Sequence, residues 1–331
     1  MSRLAVVTGG TGFVGQHLIA QLRDLGWRVV ALHRPGGNAD HLVALGAEPR
    51  EAVLHDADSV SAAMPEGPDA VFHVAGNTSM WKRGNEEQYR DNVLGTRSMV
   101  AAALARKAGR FIHTSSISAW GIQSCPIDEQ TPSNAEHDWI NYNRTKFLAE
   151  REVRRGIASG LDAVILNPCG IIGAGDRHNW AQMIMLIDQG KLPGVPPGAG
   201  SFCHVNEVAR AHINAWEKGR SGANYILAGV EASFLELART IGYLLGRRAP
   251  RRPIPKLLIR LAGHVYPLFS IFTGKEPSLT PEKVALVTNR VVADGSRAVT
   301  ELGFNDQVPL EQMLRECIDW MRQEGMLSTP A

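Results

Sequence analysis

Over the first half of the chain, short unbroken apolar runs alternate with segments whose apolar residues recur every three or four positions. Leu4-Ala5-Val6-Val7-Thr8 is such a run, ending in a glycine cluster, and it reads as a strand buried on both faces. Residues 13–25 then place Val14, Leu18, Ile19, Leu22 and Leu25 at helical spacing, and Gly26 closes that helix. Residues 28–32 predict a second strand, and 52–54, 70–74, 111–114 and 163–166 predict further ones. Helices are expected between them, notably over about 89–107 and 141–159. Alternation of this kind implies an α/β protein whose parallel sheet is covered on both faces.

After about Asn167 the texture changes. Glycine and proline become dense over 193–200, and Arg247-Arg248-Ala249-Pro250-Arg251-Arg252-Pro253 forms a basic connector. Such a run either meets an acidic membrane surface or a phosphate, or is a solvated loop. An apolar stretch from Leu257 to Phe272 follows, interrupted by Arg260 and His264 and too short to span a bilayer. It reads either as a lid that favours an apolar or aromatic substrate or as a helix packed in a second core. No repeat at solenoid periods is present. The expected division is a nucleotide-binding domain over 1–168 plus about 203–219. A smaller, irregular α/β substrate-binding region takes 169–202 and 220–331.

Composition narrows the function. The 331 residues carry 35 Lys+Arg against 33 Asp+Glu, a net charge of +2, which gives no nucleic-acid footprint. Cys125, Cys169, Cys203 and Cys317 are scattered without metal spacing, so neither a metal site nor a disulfide scaffold is expected, and a reducing compartment fits. The amino terminus reaches glycine too soon for a signal peptide. A soluble, cytoplasmic protein is expected.

Thr8-Gly9-Gly10-Thr11-Gly12-Phe13-Val14-Gly15 lies between the first strand and the first helix. Glycines there permit a tight turn and let backbone N–H groups approach a pyrophosphate, which the positive end of the helix also attracts. Gly9, Thr11, Gly12, Phe13, Val14 and Gly15 are therefore the expected phosphate cradle. At the end of the second strand an acidic residue would bind a ribose hydroxyl and indicate NAD(H). His33-Arg34 stands there instead, with no carboxylate until Asp40. A guanidinium suits a 2′-phosphate, so NADP(H) is expected over NAD(H), with Arg34 as the main contact and His33 as the second.

Tyr142 and Lys146 are four residues apart on a predicted helix, so phenol and ammonium share one face. A free phenol has a pKa of about 10, and a fixed cation lowers it toward a useful range. The strand ending Thr114-Ser115-Ser116 delivers hydroxyls to the carboxyl edge of the sheet, where ligands bind in such folds.

These residues, with HVAG at 73–76, NVLGT at 92–96, TSSISAWG at 114–121, DEQTP at 128–132, NPCGIIG at 167–173, HVNEVARA at 204–211 and ELGF at 301–304, resemble an extended short-chain dehydrogenase/reductase over nearly the whole chain. Within that group the chain is most similar to the dihydroflavonol reductase-like branch. The resemblance implies a Rossmann-type doubly wound sheet. Tyr142 is implied as proton donor or acceptor, Lys146 as holder of the nicotinamide ribose, and Ser116, five residues before Gly121, as the carbonyl-orienting serine. It further implies a cofactor channel lined by Leu54, Val74, Ala75, Gly76 and Asn92, with Asn167 and Pro168 beside the nicotinamide. Trp81, Trp120 and Trp180 follow motif segments, and are either substrate contacts or buried structural residues. A homodimer paired through the helices around 89–107 and 142–159 is also implied.

Two departures from the family pattern stand out. Val53 occupies the third-strand position usually held by an aspartate near the adenine. Gly200-Ser201-Phe202 precedes Cys203-His204-Val205 where sugar-nucleotide enzymes carry an arginine against the diphosphate. The expected activity is reduction of a small, apolar or aromatic ketone or aldehyde by NADPH. The alternatives are a sugar-nucleotide epimerase or dehydratase and a 3β-hydroxysteroid-type dehydrogenase. A non-catalytic dinucleotide sensor would need the glycine turn but not Ser116, Tyr142 and Lys146.

Overall fold

The computed structural model describes residues 2–124, 126–262, 277 and 279–328. The chain runs β1 (Leu4–Thr8), α1 (Phe13–Asp24), β2 (Arg28–His33), α2 (Ala39–Ala44), β3 (Glu48–Glu51), α3 (Ala57–Ala63), β4 (Ala70–His73), α4 (Asn85–Tyr89), α5 (Gly95–Ala105), β5 (Arg110–Thr114), α6 (Asn141–Ala158) and β6 (Ala163–Pro168). It continues through β7 (Gly170–Ile172), α7 (Trp180–Asp188), β8 (Ala199–His204), α8 (Val205–Lys218), β9 (Asn224–Leu227), β10 (Val230–Ser233), α9 (Phe234–Leu245), α10 (Pro281–Val287), β11 (Arg290–Val291) and α11 (Leu310–Gln323).

The main sheet has seven parallel strands in the order β3-β2-β1-β4-β5-β6-β9. Strand order reverses between β1 and β4, and that switch point leaves a crevice at the carboxyl ends of the strands. Helices α1 and α8 cover one face, burying Leu18, Ile19, Leu22, Val208 and Ala211 with Trp27 and Tyr225. Helices α3, α5 and α6 cover the other, around Val60, Met99, Ala103, Phe111 and Val153. This is the parallel sheet covered on both faces that the alternating pattern predicts, in the doubly wound Rossmann-type order that the resemblance implies. Gly26 ends α1 at a φ of 78°, where the Trp27 amide reaches back to the Leu22 carbonyl.

Two sequence expectations shift. The third strand forms at Glu48–Glu51 instead of 52–54, because this edge strand needs only one ladder and its polar sequence conceals it. The predicted helix over 89–107 is broken into α4, a π-helical turn over Arg90–Leu94, and α5.

The smaller sheet is mixed: β8 pairs with β10 antiparallel and with β7 and β11 parallel. It packs with α7, α9 and α11 over Ile184, Phe202, Leu237, Met313 and Cys317. Residues expected in the substrate-binding region also complete the large domain. Strand β9 is an edge of the main sheet, and Ala298, Leu302 and Phe304 pack into its α1/α8 core. A four-residue strand is too short for its periodicity to show which sheet it joins. Of the apolar stretch after Leu257, the residues from 263 to 272 lie outside those described; Ile259 is buried, whereas Leu257, Leu258 and Leu261 are exposed. Among the described residues no helix is long and apolar enough to cross a membrane, and Cys169, Cys203 and Cys317 are free thiols.

Candidate active site

The glycine turn is built from backbone packed at distances that side chains forbid. A Cβ on Gly9, whose φ is 72°, would stand 2.7 Å from the Ala75 nitrogen, and one on Gly15 would stand 2.1 Å from the Gly9 carbonyl oxygen. The Gly12 N–H donates to the Gly9 carbonyl at 2.9 Å, and Gly12 caps α1 without any side-chain hydrogen bond or first-turn acid. The first amides of α1 thus lack side-chain partners at its positive end, and Thr11 and Gly12 are exposed beside them. Phe13 and Val14 are half-buried, with Val14 packed on the core. This cradle fits a dinucleotide pyrophosphate.

The loop after β4 forms the next wall. Thr8 Oγ1 bonds His73 Nδ1 at 2.8 Å and accepts from the Ala75 N–H at 3.1 Å, tying β1 to β4. Val74, Ala75 and Gly76 follow with partial to full exposure. Asn92, in the π-helical turn, takes the Asn77 N–H at 2.7 Å and donates to the Asn77 carbonyl at 2.9 Å and Thr145 Oγ1 at 3.1 Å. Its amide is engaged in pinning the Gly76 loop to α6. Leu54 is half-buried against Gly95, and Val53 contributes its backbone N–H to Ser59 Oγ at 3.0 Å. At the end of β2, His33 is half-buried with Nδ1 3.1 Å from the Arg34 carbonyl, and the Arg34 side chain is exposed.

Ser116, Tyr142 and Lys146 meet at the carboxyl end of β5. Ser116 is half-buried, caps the short turn Ile117–Trp120 by accepting from the Ser118 N–H at 3.2 Å, and hydrogen-bonds Tyr142. Ser115, in contrast, is buried with an unpaired hydroxyl, and Thr114 Oγ1 is spent on His212 Nε2 at 2.7 Å. Burial raises the Tyr142 pKa, while the Ser116 bond works to lower it. Lys146 is buried, donates to the Thr114 carbonyl at 3.1 Å, and is pushed down to about 8 by desolvation, with the Glu150 carboxylate opposing. A Cβ on Gly76 would lie 3.2 Å from its Nζ, so glycine there leaves the ammonium room beside the channel.

Behind these groups runs a buried polar chain that the motifs do not reveal. Asn167 donates to Glu150 Oε1 at 2.6 Å and to the Ser116 carbonyl at 3.1 Å; Asn224 donates to Glu150 Oε2 at 3.0 Å and to Asn167 Oδ1 at 2.9 Å. Asn167 therefore holds the backbone of Ser116, with Pro168 following it at the end of β6. Glu150 was findable: it lies one helical turn beyond Lys146 on the same face. Asn224 was not, because nothing in sequence couples β9 to α6.

The three tryptophans separate. Trp120 is buried, donates to the Thr131 carbonyl at 2.9 Å and packs with Ile117, Ile127 and Ile226. Trp180 packs at 5.1 Å from Phe202 and 5.7 Å from Phe234 in the second core. Both rings are thus engaged in apolar clusters. Trp81 remains half-buried on the loop beyond Gly76, with the Arg83 guanidinium 5.5 Å over its ring. Exposed Trp139, three residues before Tyr142, escaped the sequence reading.

The arrangement matches known proteins. The model of the NAD dependent epimerase/dehydratase family matches residues 5–228. A Synechocystis sp. protein whose name proposes a dihydroflavonol 4-reductase is 30% identical over 98% of this chain and 96% of its own. The 4-hydroxy-2-methyl-3-oxo-4-farnesyl-3,4-dihydroquinoline-1-oxide ketoreductase of Stigmatella aurantiaca is 31% identical over 96% of each. The crystal structure of gox2253 superposes with a TM-score of 0.86 at 30% identity, covering 99% of this chain and 100% of that one. The chain belongs to the NAD dependent epimerase/dehydratase family, and within it is an NAD(P)-dependent oxidoreductase with reductase-like relatives.

Proposed function

We propose that this protein is an NADPH-dependent reductase of a small, apolar or aromatic ketone or aldehyde. The observation that carries the reading is the meeting of Ser116, Tyr142 and Lys146 beside the glycine cradle at the switch-point edge of the sheet. The dinucleotide, when bound, supplies the hydride. Ser116 Oγ donates a hydrogen bond to the substrate carbonyl and fixes its position. Tyr142 transfers its phenolic proton to that oxygen as negative charge develops there. Lys146, anchored on the Thr114 carbonyl, stabilises the resulting phenolate. The exposed Arg34 would hold a 2′-phosphate.

Sugar-nucleotide chemistry is disfavoured by what stands near β8. No arginine precedes Cys203, Phe202 is buried in the second core, Arg247 pairs with Asp188 at 3.4 Å, and Arg210 lies 3.8 Å from Glu207. The ketoreductase relative, whose named substrate carries a farnesyl chain, supports an apolar carbonyl compound.

The test is a panel of ketones and aldehydes with NADPH oxidation followed optically, and with UDP- and GDP-sugars as controls. Net oxidation with one or more ketones is expected. Tyr142→Phe should retain NADPH binding and lose about 10² or more in turnover. Sugar epimerisation without net NADPH consumption, or full turnover by Tyr142→Phe, would overturn the reading.

A further inference from the structure

The helical stretch over 256–262 is inverted relative to an ordinary surface helix. Ile259 is buried, while Leu257, Leu258 and Leu261 are 67%, 58% and 57% exposed. At 100° per residue Leu257 and Leu261 stand opposite Ile259, so the face turned to solvent is leucine. Lys256 and Arg260, one turn apart, are both exposed and flank that face. Three exposed leucines on a surface helix lose solvation free energy unless something apolar covers them.

The charge around the leucines says what would cover them. From Leu237 to Lys275 the sequence has no Asp or Glu, yet it carries Arg239, Arg247, Arg248, Arg251, Arg252, Lys256, Arg260 and Lys275. Arg247 is engaged by Asp188. Arg248, Arg251, Arg252, Lys256 and Arg260 are exposed, and no carboxylate pairs with them among the described residues. An apolar face inside a cluster of unpaired cations matches a surface that offers phosphate above and hydrocarbon beneath. Tyr243, 76% exposed on α9 just ahead of the basic run, has the amphipathic character of interfacial residues.

We propose that this helix and the basic connector before it form a docking surface for an anionic lipid bilayer, on which the protein rests as a peripheral enzyme. Its location suits an apolar substrate. Arg260 lines, with Trp139, Val284, Thr288 and Asn289, an open cavity of about 360 Å³, and Trp139 lies two residues before the helix that carries Tyr142. The docking surface and the approach to α6 are therefore neighbours, and a lipid-dissolved ketone would be presented beside the site. The docking itself does not depend on the reductase reading, because lipid binding is measured without turnover.

The experiment is sedimentation of the full chain with vesicles of phosphatidylcholine alone and of phosphatidylcholine mixed with phosphatidylglycerol, at low and high salt. Binding to the mixed vesicles, release by salt and weak binding to the neutral ones are expected. Arg248→Gln, Arg251→Gln and Arg252→Gln together should lower the partition roughly a hundredfold, at about fivefold per basic residue. The combined Leu257→Ser, Leu258→Ser and Leu261→Ser variant should lose binding while keeping the circular dichroism spectrum and melting temperature of the parent. No binding to the mixed vesicles, or equal binding by the leucine variant, would overturn the proposal. So would a leucine variant that changes only the oligomeric state in light scattering, since the face would then belong to a second copy of the chain.

Discussion

The Asn167 amide donates to the Glu150 carboxylate at 2.6 Å and, from the same nitrogen, to the Ser116 carbonyl at 3.1 Å. A residue at the end of β6 thereby ties the serine loop to the helix that carries Tyr142 and Lys146. Glu150 is buried and accepts from both Asn167 and Asn224, so removing its side chain takes one acceptor from each of two amides in low dielectric. Glu150→Ala is expected to cost about 3 kcal/mol or more of stability. Glu150→Gln, which keeps the shape and drops the charge, should fold and show a smaller loss. Because the carboxylate raises the Lys146 pKa, Glu150→Gln should also move the alkaline limb of the pH profile to lower pH. A profile unchanged in Glu150→Gln would restrict the residue to packing.

That limb follows from Lys146 itself. With its pKa at about 8, the ammonium is charged below that pH and neutral above it. Tyr142 is shifted upward by burial, so its phenol stays protonated through the same range and ready to act as an acid. The kcat/KM for carbonyl reduction should be level below about 7 and fall as pH rises through 8 in the free enzyme. Lys146→Arg, permanently charged, should be slower but lack this limb. A wild-type profile that keeps rising beyond pH 8 would contradict the assignment.

The proposed preference for NADPH rests chiefly on one exposed side chain. Arg34 lies at the tip of β2 with no carboxylate near it in sequence before Asp40. Arg34→Asp should raise the Kd for NADPH by roughly tenfold to a hundredfold, the range for a charge-assisted contact, and improve NADH binding. Fluorescence titration of the two reduced cofactors measures this directly. Equal affinity of the parent protein for both would remove the argument.

Beneath the site, three imidazoles are buried in one cluster. His73 stacks on His113 at 5.4 Å; His212 is held by Thr114 and the Val208 carbonyl; both nitrogens of His113 are unpaired. Burial holds His73 down to about 3 and His212 down to about 4, and puts His113 well below the usual imidazole range. The unfolded chain, with imidazoles near 6.5, binds more protons than the folded one at mildly acid pH. Stability is therefore complete above about 6.5 and is lost as pH falls toward 4, at about 1.4 kcal/mol per unit for each imidazole. The melting temperature should drop by several degrees between pH 7 and 5.5. His113→Leu should weaken that dependence and stabilise the protein at neutral pH by about 1 kcal/mol, since it removes a buried group that has no partner. A destabilising His113→Leu would show that the ring is satisfied in solution.

The sequence alone determined the layered α/β plan, because each sheet strand with both faces covered must be a continuous apolar run and each covering helix must repeat every three to four residues. It also made the candidate groups legible, because a glycine-rich turn after a strand and a tyrosine four residues from a lysine are local patterns. Only the tertiary structure decided which neighbours those groups have. Strand β9 belongs to the main sheet through a ladder with β6, and Asn224 meets Glu150 across 74 residues. Trp120 and Trp180 turned inward because cores of isoleucine and phenylalanine were there to receive them. Asn92 and Asn167 became struts because their amides found backbone partners, and the leucines of 257–261 stayed outside because Ile259 took the inner face. Such facts depend on distance in space between residues far apart in the chain, which hydrophobic periodicity does not encode.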